Sequence, residues 1–233
     1  SVGDALNQAA ADTRYVNTSG DTMTGDLSVT GDLFVTNSTN AKLSVSDNIS
    51  EVGSGNLALQ AQNSASSALK PMGFRAEDFR YAIGSNEVMK INSSGYVTNP
   101  YQPAFNAKRT SSQSISGTTT LVFNEIRSNQ SNSYNSSNGI FTAPVAGQYI
   151  FTFKSLFYDF RTGEYLDLYS YVNSSIRNRY EQTGNDGGHT QIDYTEVVYL
   201  SANDTFKLVA TDRNTGSFSM YAHENHFSGR LLG

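Results

Sequence analysis

The chain has 233 residues, a formal net charge of -5, 16% charged residues and no cysteine. That length holds one substantial domain plus an extension. The acidic balance argues against nucleic acid as a partner, and the lack of cysteine excludes a disulfide framework or a thiolate metal site.

Residues 1–19 carry Val2, Leu6, Ala9, Thr13 and Val16 at alternating spacings of four and three. That seam predicts a short helical, coiled-coil segment shared by identical chains. No signal peptide is visible at the N-terminus, and no apolar run reaches the ~18 residues of a membrane span, so membrane insertion is not expected. A virion component released by lysis fits a chain without signal or disulfides better than a secreted adhesin.

Over residues 20–100 the period changes. Thr24-Gly25-Asp26-Leu27-Ser28-Val29 is followed at once by Thr30-Gly31-Asp32-Leu33-Phe34-Val35, and degenerate copies begin at Asn40, Ser46 and Ser54. Each copy pairs a polar turn with a Leu or Ile, usually followed two positions on by a second apolar residue, and in a strand those two share a face. Two buried side chains return less than the ordering of six backbones costs. Such a unit folds only when copies stack or intertwine, and three chains around one axis is the arrangement expected for this shaft. Phe74, Phe79, Tyr81 and Ile83 are dense enough for a small core. Val88–Ile91, a turn at Asn92–Gly95 and Tyr96-Val97 read as a hairpin.

Residues 101–233 read as a β-rich head. Tyr149, Phe151 and Phe153 alternate on one face of a strand, after a turn made by Pro144 and Gly147. Further alternating strands run over Tyr165–Val172, Thr190–Leu200, Asp204–Ala210 and Ser217–Ala222. Hydrophilic gaps at Asp159–Glu164, Asn178–His189 and Thr211–Gly216 read as loops.

The run GIFTAPVAGQYIFTF at Gly139–Phe153 resembles the signature of the complement first-component q globular head, a relative of the tumour-necrosis-factor jelly roll. Gly139, Phe141, Ala143, Pro144, Gly147, Tyr149 and Phe151 match it position for position. Gln102–Ala107 resembles the family's first strand, Val122–Asn124 and Tyr134 the segment before the signature, and His226–Leu232 its closing strand. Asn203-Asp204, Ser174 and Arg230 depart from the usual pattern and bear on surface detail. The segments Asn17–Leu27 and Glu87–Thr98 resemble stretches common in bacteriophage tail-fibre shafts. The resulting expectation is a mainly β protein: a short N-terminal helix, a slender trimeric β-repeat shaft and a C-terminal TNF-like β-sandwich jelly roll.

The resemblance implies a homotrimeric phage tail fibre or receptor-binding protein whose head recognises a host surface glycan or protein, with phage tail proteins as partners at the N-terminus. A virion location on the phage tail, outside the cell, follows from it. The alternative is a secreted adhesion or matrix protein with a complement-type head. An enzymatic tailspike would need paired carboxylates in a long cleft, which are not evident, so no catalytic residue is assigned.

Receptor-binding candidates are Phe160, Arg161, Arg179, Tyr180, His189 and Arg213, side chains that stack on sugars or clamp acidic groups from loops. The row Tyr165, Tyr169 and Tyr171 suits either a sugar platform or the sheet that faces the threefold axis, and is assigned to the trimer interface. His223 and His226, three apart in a strand, point to opposite faces and make no metal pair. Asp212–Gly216 lacks the acidic spacing of a calcium loop. The family often carries calcium near the trimer apex, but no motif here transfers its ligands, so no metal or cofactor is assigned. The acceptor tripeptides at Asn17, Asn135 and Asn173 are expected by chance in a chain this rich in Asn and Ser.

Overall fold

The computed structural model describes residues 30, 33–38, 41–46, 49–63, 65–214 and 217–232. Every regular element among them is a β-strand. The expected helix over residues 1–19 and the first hexad copy lie outside the described residues. The chain divides into two compact units between Ala76 and Glu77.

In the first unit, β1 (Leu33–Ser38), β2 (Ala41–Ser46) and β3 (Ala58–Gln62) form an antiparallel meander. Its register aligns Leu33 with Val45 and Val45 with Leu59, so apolar positions of the copies at Thr30, Asn40 and Ser54 are cross-strand partners. The hexads do not all become strands. Residues 49–56 form turns, with the Val52 and Gly53 N–H groups donating to the Ile49 carbonyl, and β3 begins only at Ala58. Gly53 and Gly55, both at positive φ, allow that reversal.

The second unit opens with a three-stranded meander of β4 (Phe79–Ile83), β5 (Asn86–Ile91) and β6 (Val97–Thr98). The hairpin turn at Asn92–Gly95 stands where the sequence places it, closed by Asn92 Oδ1 accepting from the Ser94 and Tyr96 N–H groups.

Residues 104–231 build a jelly-roll sandwich of two six-stranded sheets. Strands β7 (Ala104–Lys108), β8 (Gln113–Ile115), β10 (Glu125–Gln130), β13 (Gly147–Tyr158), β16 (His189–Leu200) and β18 (Phe218–Leu231) make the first sheet, ordered β10-β7-β18-β13-β16 with β8 on β18. Strands β9 (Thr118–Thr120), β11 (Tyr134–Asn135), β12 (Ile140–Thr142), β14 (Tyr165–Val172), β15 (Ser175–Thr183) and β17 (Thr205–Asp212) make the second, ordered β11-β12-β17-β14-β15 with β9 on β17. Both sheets are antiparallel, so each strand sends alternate residues into the space between them.

The Gly139–Phe153 run supplies the centre of that space. Phe141, Ala143, Tyr149, Phe151 and Phe153 all point inward and are buried. Gly139 sits at positive φ, and a Cβ there would meet the Leu121 carbonyl oxygen at 2.2 Å, so only glycine fits. The Tyr149 hydroxyl donates to the Val145 carbonyl at 2.8 Å, tying the strand to the turn that precedes it. Phe151 stacks on Phe206 of the opposite sheet with ring centroids 3.9 Å apart.

The sandwich is closed along its β15–β16 side by a polar seam. Glu196, buried on β16, accepts from Arg177 Nε at 3.1 Å and Asn178 Nδ2 at 2.7 Å across the gap. The Tyr194 hydroxyl donates to Glu196 and lies 3.2 Å from the Ser170 hydroxyl. Burial, reinforced by the Glu196 carboxylate, pushes the Tyr194 hydroxyl from the ordinary 10.0 up to about 12.

Two outcomes are expected. Residues 101–233 hold the whole aromatic core, so that fragment should fold alone and melt in a single cooperative transition by circular dichroism. The neutral Tyr194 hydroxyl stabilises the fold fully below pH ~10, and that stability is lost as pH rises through about 12. The stability gap between wild type and Tyr194→Phe, read from urea midpoints, should therefore shrink between pH 8 and pH 11.5.

Candidate functional site

The side chains available for recognition fall into two clusters on the head. The first sits at one end of the sandwich, where β13 runs out at Tyr158. The chain turns there through Asp159, at φ +58°, and drives Phe160 back into the core. Phe160 is fully buried at 0% exposure and packs on Phe218, with ring centroids 5.0 Å apart. It is not a receptor-binding residue but the anchor of the loop. Its position after a strand that alternates up to Phe157 hid this, because the turn at Asp159 shifts the alternation by one.

Around that anchor two loops lock together by backbone bonds. The Phe160 N–H donates to the Gly188 carbonyl at 3.1 Å, the Asn185 N–H to the Phe160 carbonyl at 3.3 Å and the Gly184 N–H to the Glu164 carbonyl at 2.9 Å. A Cβ on Gly184 would meet the Arg161 carbonyl oxygen at 1.9 Å, so the loops approach too closely for any other residue. The Thr162 hydroxyl donates to the Asp186 carboxylate, and the Arg161 N–H to Glu164 Oε2 at 2.5 Å. Between the loops lies an open groove of about 380 Å³, lined by Tyr158, Asp159, Arg161, Thr162, Asp186, Gly187, Gly188 and His189.

Tyr158 and His189 are direct cross-strand partners, so their side chains share the outward face at the groove's floor. The Tyr158 ring is braced edge-on by Tyr221 at 5.4 Å between centroids. An aromatic face, two carboxylates, a guanidinium and an imidazole thus surround one polar recess. This is a set that binds hydroxyl-rich or mixed-charge ligands through paired hydrogen bonds and ring stacking. Arg161 and His189 were legible in the sequence as candidates. Tyr158, Thr162 and Asp186 were not singled out, although the Asn185–Gly188 turn cluster beside a strand end marks the place.

The second cluster lies on the outward face of β14 and its neighbours. The expected loop over Asn178–His189 is a strand for most of its length: β15 runs to Thr183, and only residues 184–188 form the connection. Asn173, at φ +55°, turns the chain so that Ser175 pairs with Val172. This edge strand is exposed along most of its length, so it shows no apolar alternation to betray it. Arg179 and Tyr180 therefore stand on a strand, apart from His189. Arg179 reaches Asp167 Oδ1 and Glu181 Oε2, each at 2.9 Å. Arg213 reaches Asp167 Oδ2 at 3.2 Å, bonds Glu181 and lies over the Tyr165 ring at 5.0 Å. The Tyr169 hydroxyl donates to Asp167 Oδ2 at 3.0 Å, and burial followed by the Asp167 carboxylate raises its pKa. Lys207 Nζ sits 5.3 Å over the Tyr171 ring.

Asp167 is buried on an outward-facing position, and both arginines are spent on it. The group is a closed two-acid, two-guanidinium network with its own aromatic lid. Tyr180 pairs with inward-facing Leu168 and so lies on the other face of β15, partly exposed, its hydroxyl 3.2 Å from Gln182 Oε1. Among the described residues, no three His, Asp or Glu side chains converge to hold a metal ion.

The sequence profile of the C1q domain family matches residues 104–232. Among solved structures, the globular domain of zebrafish complement 1qA is 18% identical, with a TM-score of 0.45 over 57% of this chain and 98% of its own. Murine APRIL is 12% identical at a TM-score of 0.44, covering 56% of this chain and 99% of its own. Eiger TNF from S. frugiperda is 11% identical at 0.43, over 57% and 93%. No curated protein matches the chain.

Removing the acid at the centre of the second cluster leaves two guanidinium groups without their shared partner. Asp167→Ala should cost about 1–3 kcal/mol of stability in urea unfolding. Glu181→Ala, at the exposed rim, should cost well under half as much.

Proposed function

The chain belongs to the C1q domain family, and we propose that it acts as a homotrimeric receptor-binding fibre of a bacteriophage, its head contacting the host surface through the Tyr158–His189 groove. The observation that carries this reading is the groove itself. It is a recess where the Asp159, Arg161 and His189 side chains and an aromatic face converge on backbone that is already fixed. The fibre assignment is supported by the shaft-like repeats at Thr24–Val35 and by the Asn17–Leu27 and Glu87–Thr98 segments. Phage tail proteins at the N-terminus and a location on the virion belong to the same proposal.

Self-association has a better surface than the tyrosine row. Tyr165, Tyr169 and Tyr171 are engaged by Arg213, Asp167 and Lys207 of their own chain. The outward face of the first sheet instead presents Val197 at 48% and Tyr199 at 63% exposure, with Ile150 directly across from Val197. Apolar side chains on a flat sheet face are what a subunit interface covers. Ile150 lies roughly 25 Å along β13 from Tyr158, so burying that end leaves the groove open. Three copies then present three grooves together, and weak individual contacts add through multivalency.

The mechanism is recognition rather than chemistry. Arg161 holds its loop through its backbone N–H, so truncating its side chain leaves that bond in place. Arg161→Ala combined with His189→Ala should keep the trimer and its melting temperature. Adsorption of virions carrying the variant should fall at least about tenfold, the equivalent of ~1.4 kcal/mol. Unchanged adsorption by a folded trimer would remove the groove from the receptor site.

A further inference from the structure

The meander β4-β5-β6, just ahead of the head, has two chemically opposite faces. Its register sets Phe79 beside Ile91, Tyr81 beside Met89 and Ile91 beside Val97, so these five side chains share one face. The other face carries Arg80 beside Lys90 and Lys90 beside Thr98. Asp78 joins it, with Arg80 at 2.8 Å and Lys90 at 3.4 Å, while Arg80 also reaches Glu87 at 3.3 Å. The ion-paired face is therefore suited to water. The apolar face is not: Tyr81 is 50% and Val97 56% exposed, and Ile83 at the strand end is 72% exposed.

Covering that face stabilises the sheet, since apolar area removed from water contributes about 25 cal/mol per Å². Residues 99–103 separate Thr98 from the head at Ala104, a span of at most about 22 Å. Any assembly of heads therefore holds the meanders of its chains close together, at an effective concentration in the millimolar range.

We propose that the apolar face of residues 79–97 packs against the same face of the other two chains. The three meanders then form a three-sided prism with Phe79, Tyr81, Met89, Ile91 and Val97 inside and the Asp78–Arg80–Lys90 ion pairs outside. This inference rests on the homotrimer proposed above and adds a second, separate interface to it. The prism clamps the base of the head and fixes the rotation of each chain as it enters.

The full chain has no cysteine, which makes the test direct. Val97→Cys and Tyr81→Cys place a thiol on the apolar face, and Thr98→Cys places one on the ion-paired face. All three are treated with a short bis-maleimide and run on a denaturing gel, with sedimentation equilibrium in parallel. The apolar-face variants should give covalent dimers at least about ten times more efficiently than Thr98→Cys. A trimer by sedimentation in which neither apolar-face thiol links above the Thr98→Cys level would overturn the prism, leaving the assembly of the heads standing. It would mean that the face is covered from within its own chain. A monomer by sedimentation would overturn both.

Discussion

The head depends on a row of three residues across three neighbouring strands. Phe105 on β7, Gly229 on β18 and Phe151 on β13 are direct partners in the register. The two rings lean over the glycine between them, and a Cβ at Gly229 would stand 2.6 Å from both. That vacancy sets how deep Phe151 sits, and hence how it meets Phe206 in a parallel stack at 3.9 Å. Phe105 in turn stacks on Tyr134 at 4.5 Å and meets Phe227 edge-on at 5.0 Å. One missing methyl thus organises five aromatic rings drawn from both sheets. Because a one-residue slip would turn every one of these side chains outward, the row also fixes the register of the first sheet.

The two sheets share this core but differ in what they show to solvent. The second sheet covers its outward tyrosines with arginine and lysine from the same chain, and places a buried acid beneath them. The first leaves Val197, Tyr199 and Ile150 without such cover. Charged caps satisfied within one protomer are expensive to bury again, because their partners would have to be desolvated together. Apolar side chains carry no such cost. The outward face of the first sheet is therefore the less costly of the two to cover, because the closed Asp167 network adds a desolvation cost to the second.

Where a strand is buried on one side, its sequence reveals it: Tyr165–Val172 is found with both ends correct, and Gly147–Tyr158 follows from the alternation of Tyr149, Phe151 and Phe153. The signature residues are legible because each answers a steric demand, as Gly139 does against Leu121. Strand β15 was illegible for the opposite reason. An edge strand rich in Arg, Asn and Gln has no buried face to impose a period, and its polar composition imitates a loop. The same blindness misplaced Arg179 and Tyr180, and it sent Phe160 to the surface when a turn at Asp159 had reversed its direction. The groove was half visible, in Arg161 and His189, because its remaining members are defined by how two distant loops meet and not by any local pattern.

That meeting explains how the recess can change its chemistry without loss of the fold. The groove's shape comes from backbone bonds between residues 160–164 and 184–188, from Gly184 and from a single anchor, Phe160, buried out of a ligand's reach. Asp186 ties the two loops through the Thr162 hydroxyl. None of the backbone bonds needs the side chains of Arg161 or His189, which project from the framework without contributing to the core. Their replacement alters the recess chemically while the anchor and the inter-loop bonds persist. The side chains that line the recess and the backbone bonds that shape it are largely different atoms of the same two loops, so surface chemistry there is free to vary at little structural cost.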